Sequence, residues 1–184
     1  MKALFRINLI LSLLIALAVV VQAQDSRLQL SSLDHLAAKA NQTVDVSVDE
    51  RLMKMAAKVF NEKDVDEREV KKLVEGLKGI YVKSFEFDTE GQYSAADLET
   101  IRMQLRGPGW TRLVNVTSKK EGNLEVYLLF NGDVVGGLAV LHSDLKEFTV
   151  VNIVGPVDLD KLASLEGQFG VPELGIEKTK KNEQ

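Results

Sequence analysis

Cysteine is absent from all 184 residues. Structural disulfides, thiolate nucleophiles and cysteine-based zinc or iron–sulfur sites are thereby excluded. A lipid anchor that needs a cysteine at its cleavage point is excluded as well. Histidine is nearly as scarce. His35 and His142 are the only imidazoles, and they form neither an i,i+4 pair nor the H-E-x-x-H arrangement that sets two ligands on one zinc. No serine stands in a G-x-S-x-G elbow, so nothing places a nucleophile on a strained strand-to-helix turn. Tryptophan occurs once, at Trp110. No linker rich in proline, serine or glycine divides the chain, which argues for a single core. A basic stripe is also lacking, so nucleic acid is not an expected partner.

What is present begins at the amino end. Lys2 and Arg6 precede an apolar run over residues 7–21, which closes on Val21-Gln22-Ala23 ahead of Gln24. This is the pattern of a secretory signal peptide over residues 1–23. The run is about 15 residues long, short of the roughly 20 that a permanent spanning helix needs. Without Lys2 and Arg6 the remainder carries 21 basic and 27 acidic side chains, a net of −6. The expectation is an exported, soluble, periplasmic or secreted chain with no membrane attachment after cleavage. Residues 24–30 read as a polar leader, residues 31–170 as one domain, and residues 171–184 as a polar tail expected to be disordered.

Within the domain, Leu33, Leu36, Ala37 and Ala40 follow a Ser31-x-x-Asp34 start at helical spacing. Val44, Val46 and Val48 then alternate as a short strand. Ser47-x-x-Glu50 reads as a capping box for a helix with the stripe Leu52, Met53, Ala56, Val59 and Phe60. Asp66-x-x-Glu69 opens a third helix. Residues 80–87 read as a strand whose apolar parity changes, as if bulged near Lys83-Ser84. Ser94-x-x-Asp97 starts a fourth helix through Leu98, Ile101 and Leu105. Four strands follow over residues 110–117, 124–130, 134–141 and 148–154. A last helix carries Leu162, Leu165 and Phe169 behind Asp158. The pattern is α+β, with an antiparallel sheet of four to six strands packed with about five helices.

The opening over residues 37–48, the block Gly109-Trp110-Thr111-Arg112-Leu113-Val114 and the closing run over residues 151–159 resemble the bacterial exported family DUF4252. The resemblance implies export, this fold and an association with envelope-responsive systems. It transfers no active site.

The remaining motifs read as structure. Acidic residues 61–69 lack the glycine and ligand spacing of an EF-hand, and the carboxylate pairs stand at helix starts, where they meet the helix dipole. No catalytic residue, metal ligand or cofactor is therefore expected. The residues singled out for possible binding are Trp110, Arg112, Tyr127, Leu129 and Asn152. An Asn131-Gly132 turn, or a shift of it to Gly132-Asp133, would place Leu124, Val126, Leu128, Phe130, Val135, Ala139 and Leu141 under the helices. Glu125, Tyr127, Leu129, Val134, Leu138 and Val140 would then form an open face for a protein partner or for self-association. The expected function is a non-catalytic domain that binds a partner or takes part in envelope sensing. The alternative is a metal-independent hydrolase with a dispersed Ser/His/Asp set.

Overall fold

The computed structural model describes residues 26–60 and 65–158. The segments expected as a signal peptide, a polar tail and a last helix beyond Asp158 lie outside the described residues. In chain order the elements are a 3-10 helix (Ser31–Ala38), β1 (Gln42–Asp49), α1 (Glu50–Ala57), α2 (Val65–Gly76) and β2 (Gly79–Glu86). There follow α3 (Ala95–Leu105), β3 (Trp110–Ser118), β4 (Gly122–Asn131), β5 (Val134–Ser143) and β6 (Glu147–Val154). The six strands form one sheet in the order β1-β2-β6-β5-β4-β3, and every neighbouring pair is antiparallel. The fold is α+β on a single sheet.

Local chemistry explains most of these elements, with some differences from expectation. Leu30, Leu33 and Leu36 are all buried and recur every three residues, the repeat at which a 3-10 helix stacks its side chains. That spacing favours the tighter helix over the α-helix expected there. β1 runs on to Asp49, and it is the Asp49 carboxylate, not Ser47, that caps α1 by accepting from Leu52 N at 2.9 Å. Asp97 accepts at 2.7 Å from both the backbone N and the hydroxyl of Ser94, which fixes the start of α3 as the Ser94-x-x-Asp97 pattern requires.

β2 carries no bulge; its registers with β1 and β6 are unbroken. Tyr81, Phe85 and Phe87 share its buried face, with Lys83 among them. Ile80 and Val82 point the other way because both faces of the sheet are apolar.

One face carries the 3-10 helix and α3. There Leu33, Leu36, Leu98, Ile101 and Leu105 pack on Tyr81, Phe85, Tyr127, Leu141, Phe148 and Val150. The opposite face is aliphatic. Val46, Val82, Val151, Val140, Val126 and Val114 are successive cross-strand partners, so one row of valines crosses all six strands.

The β4–β5 hairpin decides which residues meet the helices. Its turn is Gly132-Asp133, with Asn131 opposite Val134, and Gly136 is then skipped, so that Leu129 pairs with Gly137. This bulge exchanges the expected faces of β5. Leu138 and Val140 join Leu128 and Val126, while Ala139 and Leu141 join Tyr127 and Leu129. The helices pack on the second set. Leu129, expected on an open face, is fully buried and is not available to a partner in this fold. Leu128 is buried as well, in the aliphatic cluster of the other face. Leu129→Glu is therefore expected to unfold the chain as readily as Leu128→Glu. Each should lose about 3–5 kcal/mol in denaturant titration, because an unpaired charge replaces a core leucine.

Candidate functional site

The register gathers the five residues singled out in the sequence. Arg112, Tyr127, Ala139, Asn152 and Tyr81 are successive partners across the sheet, and Trp110 and Leu129 pair in the next row. Both rows lie on the helix-bearing face. They do not frame a cavity, because helical leucines and the amino-terminal segment occupy the space above them.

Asn152 is fully buried at the centre of β6. Its side-chain oxygen accepts from Leu28 N at 2.9 Å, and its amide donates to the carbonyls of Ser26 and Leu138 at 3.1 and 3.2 Å. An amide supplies donor and acceptor together, so Asn152 serves the Ser26–Leu28 backbone as a neighbouring strand would. Leu28 and Leu30 consequently enter the core, and the stretch expected as a polar leader is part of the fold from Ser26. Arg27 adds its guanidinium 4.1 Å from the Tyr81 ring centre. The role of Asn152 is to hold this segment.

Tyr127 and Arg112 serve a residue that the sequence reading passed over. Glu125 is only 2 % exposed. Its carboxylate accepts from Arg102 Nε at 2.9 Å, from Arg102 Nη2 and from the Tyr127 hydroxyl at 2.6 Å. Arg112 stands 3.6 Å away. Burial alone would raise the Glu125 pKa, but the hydrogen bonds from Arg102 and Tyr127 and the two guanidinium charges outweigh it, and the pKa is lowered. Burial and the Glu125 carboxylate raise that of Tyr127. A lone glutamate in the apolar strand around Val126 and Leu128, with a tyrosine two residues on, was the signal available. Arg102 on α3 carried none.

Among the described residues the histidines do not join a serine hydroxyl. His35 places Nε2 3.1 Å from Asp97 and Nδ1 3.0 Å from the Ser32 carbonyl. His142 meets the Glu121 carbonyl at 3.3 Å and Glu147 at 3.8 Å. Ser94, Asp97 and His35 are in contact, but with the carboxylate in the middle, whereas acyl transfer needs the imidazole between serine and acid. Among the described residues no group of three or more acidic or histidine side chains is placed to hold a metal ion. None of the described helices is long and apolar enough to cross a membrane.

Two other places offer surface for binding. α1 buries Met53 and Ala57 and turns Leu52 and Met55 outward at 45 % and 54 % exposure, and Val59 in the turn after it is 84 % exposed. The second is a cleft of about 700 Å³ between the start of α3 and the turns that join β3 to β4 and β5 to β6.

The family described as a domain of unknown function, DUF4252, matches residues 38–165, well over half of the chain. No curated protein and no solved structure matches it.

The ion cluster has a pH signature. The folded pKa of Glu125 lies below its ordinary value of 4.5, so the stability it contributes is present above that value and is lost as pH falls through the folded pKa. Denaturant titration at about pH 7 and about pH 3 should show the wild type losing stability on acidification. Glu125→Gln should be weaker by about 1–3 kcal/mol at the higher pH and lose less on acidification. Equal acid losses in the two proteins would remove Glu125 from this role.

Proposed function

We propose, for a chain that belongs to the DUF4252 family, the role of an exported, soluble, non-catalytic domain that holds a protein partner in envelope sensing. The observation that carries this reading is the outward stripe of α1. Leu52 and Met55 stand at i and i+3 on one side of the helix, Val59 follows in the turn just past its end, and all three are exposed. Their exposure reverses the expectation that Leu52 and Val59 face the core. A clustered apolar stripe on a protein surface is a contact site by default, and methionine adapts its shape to a partner. β1 adjoins this stripe in the chain and is an edge strand. Its Val44 and Val46 are also exposed, and among the described residues no strand pairs with its outer edge. Arg51, Lys54 and Lys58 border Met55 together with Asp49 and Glu50. Lys54 is paired with Glu50 at 2.6 Å and Asp49 caps the helix, so Arg51 and Lys58 are the cations left to meet acidic groups flanking an apolar centre on a partner.

Among the described residues no imidazole stands within hydrogen-bond reach of a serine hydroxyl, which weighs against the hydrolase alternative. Export rests on the signal-peptide pattern of residues 1–23, and the position of Ser26 is compatible with cleavage after Ala23. A chain beginning at Gln24 would keep the whole segment that Asn152 holds.

Intact-mass measurement of the protein exported from a bacterial host should therefore give a chain beginning at Gln24. A product retaining residues 1–23 would make that segment an anchor. For the contact surface, a photo-crosslinking amino acid at Met55 should yield a discrete adduct in the envelope fraction, whereas the same probe at the exposed Asp133 of the β4–β5 turn should yield none. An adduct of twice the chain mass would make the partner a second copy. Absence of an adduct from Met55, or the same products from both positions, sinks the proposal.

A further inference from the structure

The cleft beside α3 lies apart from the α1 surface, and its lining has a chemical bias of its own. Ala95 and Leu98 of α3, the Tyr93 side chain and Leu145 supply its apolar part, with Leu145 62 % exposed at the rim. The charged part is dominated by cations: Lys119, Lys120, Lys146 and Arg102 against Glu90 and Asp144. Several of these charges are already engaged. The Arg102 guanidinium holds Glu125 through Nε and Nη2. Asp144 accepts at 2.7 and 2.6 Å from the backbone N of Lys146 and Glu147, which ties its carboxylate into the β5–β6 turn. Lys146 Nζ donates to the Asp88 carbonyl at 2.8 Å.

Lys119 and Lys120 differ. They stand on the β3–β4 turn, which Ser118 shapes by accepting from the backbone N of Lys120 and Glu121 at 3.2 and 3.1 Å. Among the described residues neither ammonium enters an ion pair. Two uncommitted positive charges therefore border a hollow of mixed polar and apolar lining on a chain whose net charge is negative. The volume falls within the range of about 300–1,000 Å³ usual for small-ligand sites.

We infer that this cleft binds a single-chain aliphatic carboxylate, its chain against Leu98 and Leu145 and its head on Lys119 and Lys120. The apolar lining excludes a small hydrophilic anion as the preferred ligand, and the lysines exclude a cationic amphipath.

The test is calorimetric titration of the full exported chain with dodecanoate below its micelle concentration, beside acetate and dodecyltrimethylammonium. Saturable binding of dodecanoate alone is expected. The double variant Lys119→Glu, Lys120→Glu alters only exposed turn side chains, and an unchanged denaturation midpoint will show that it is folded. It should bind dodecanoate at least about fivefold more weakly. The inference is overturned if dodecanoate does not saturate, if acetate or the cationic amphipath binds as tightly, or if the double variant loses less than that.

Discussion

The fold turns on one residue that a strand would ordinarily exclude. Gly136 is the extra residue of β5, stepped over between the pairs Phe130–Val135 and Leu129–Gly137. A Cβ at that position would meet the tip of the exposed Asn131 side chain, so glycine lets that amide lie across the bulge, and a larger residue would have to turn it outward. The consequence reaches far beyond the turn. Side chains alternate with period two, so one skipped residue reverses the facing of everything after it. Ala139 is thereby placed between Tyr127 and Asn152 on the helix face, where its small side chain leaves room for the amide and the amino-terminal segment. Leu138 and Val140 complete the aliphatic rows of the other face. Without the bulge, leucine and valine would occupy the space that the amino-terminal segment needs.

Charge then fixes the layer above. Asp45, Lys83, Val150, Leu141, Glu125 and Asn115 are successive partners across the sheet. Two charged residues therefore flank an apolar centre on the face that the helices cover. Lys83 reaches Asp34 on the 3-10 helix and Asp45 on β1, the latter at 2.9 Å. Glu125 reaches Arg102 on α3. Each helix of that layer is thus tied to the sheet by one ion pair whose sheet member is at least partly buried. Such pairs contribute little net stability after desolvation, yet separating one leaves an uncompensated charge at a cost of about 3–5 kcal/mol when it is fully buried. Apolar packing supplies the adhesion; the charges select where along the sheet each helix rests.

These features mark where the sequence was legible. Every strand was recognisable from its β-branched and aromatic runs, and α3 from the Ser94-Asp97 pattern and the spacing of Leu98, Ile101 and Leu105. Faces were harder to read. An extra residue inside Val134–Ser143 leaves no mark except a pair of glycines, Gly136 and Gly137. Leu129 was consequently assigned to the wrong environment. Asn152 was recognisable as a polar break in an apolar strand, but not its partners, which lie more than 120 positions away. Glu125 was noticed as a blemish on an open face because its compensating arginine sits on another element. In α1 apolar residues occupy more than one side, so periodicity alone could not say which side would be covered.

The distribution of polar groups bears on function as much as on fold. Within the strands they are consumed internally: Asn152 by the Ser26–Leu28 backbone, Glu125 by Arg102 and Tyr127, and Ser84 by Thr149 at 2.6 Å. Among the described residues no buried side-chain nitrogen or oxygen lacks a partner. A sheet whose polar atoms are satisfied has little left to offer a ligand, because recognition needs donors, acceptors or charges with unspent capacity. That capacity sits on the connections: on α1 between β1 and β2, and on the turn that carries Lys119 and Lys120. The two lie by opposite edges of the sheet order, β1 at one end and β3 at the other. Binding at one place need not obstruct the other, so occupation of the cleft and contact through α1 can be varied separately. A sheet whose polar groups are spent internally leaves recognition to its connections, where the proposed contact surface and the proposed cleft both lie.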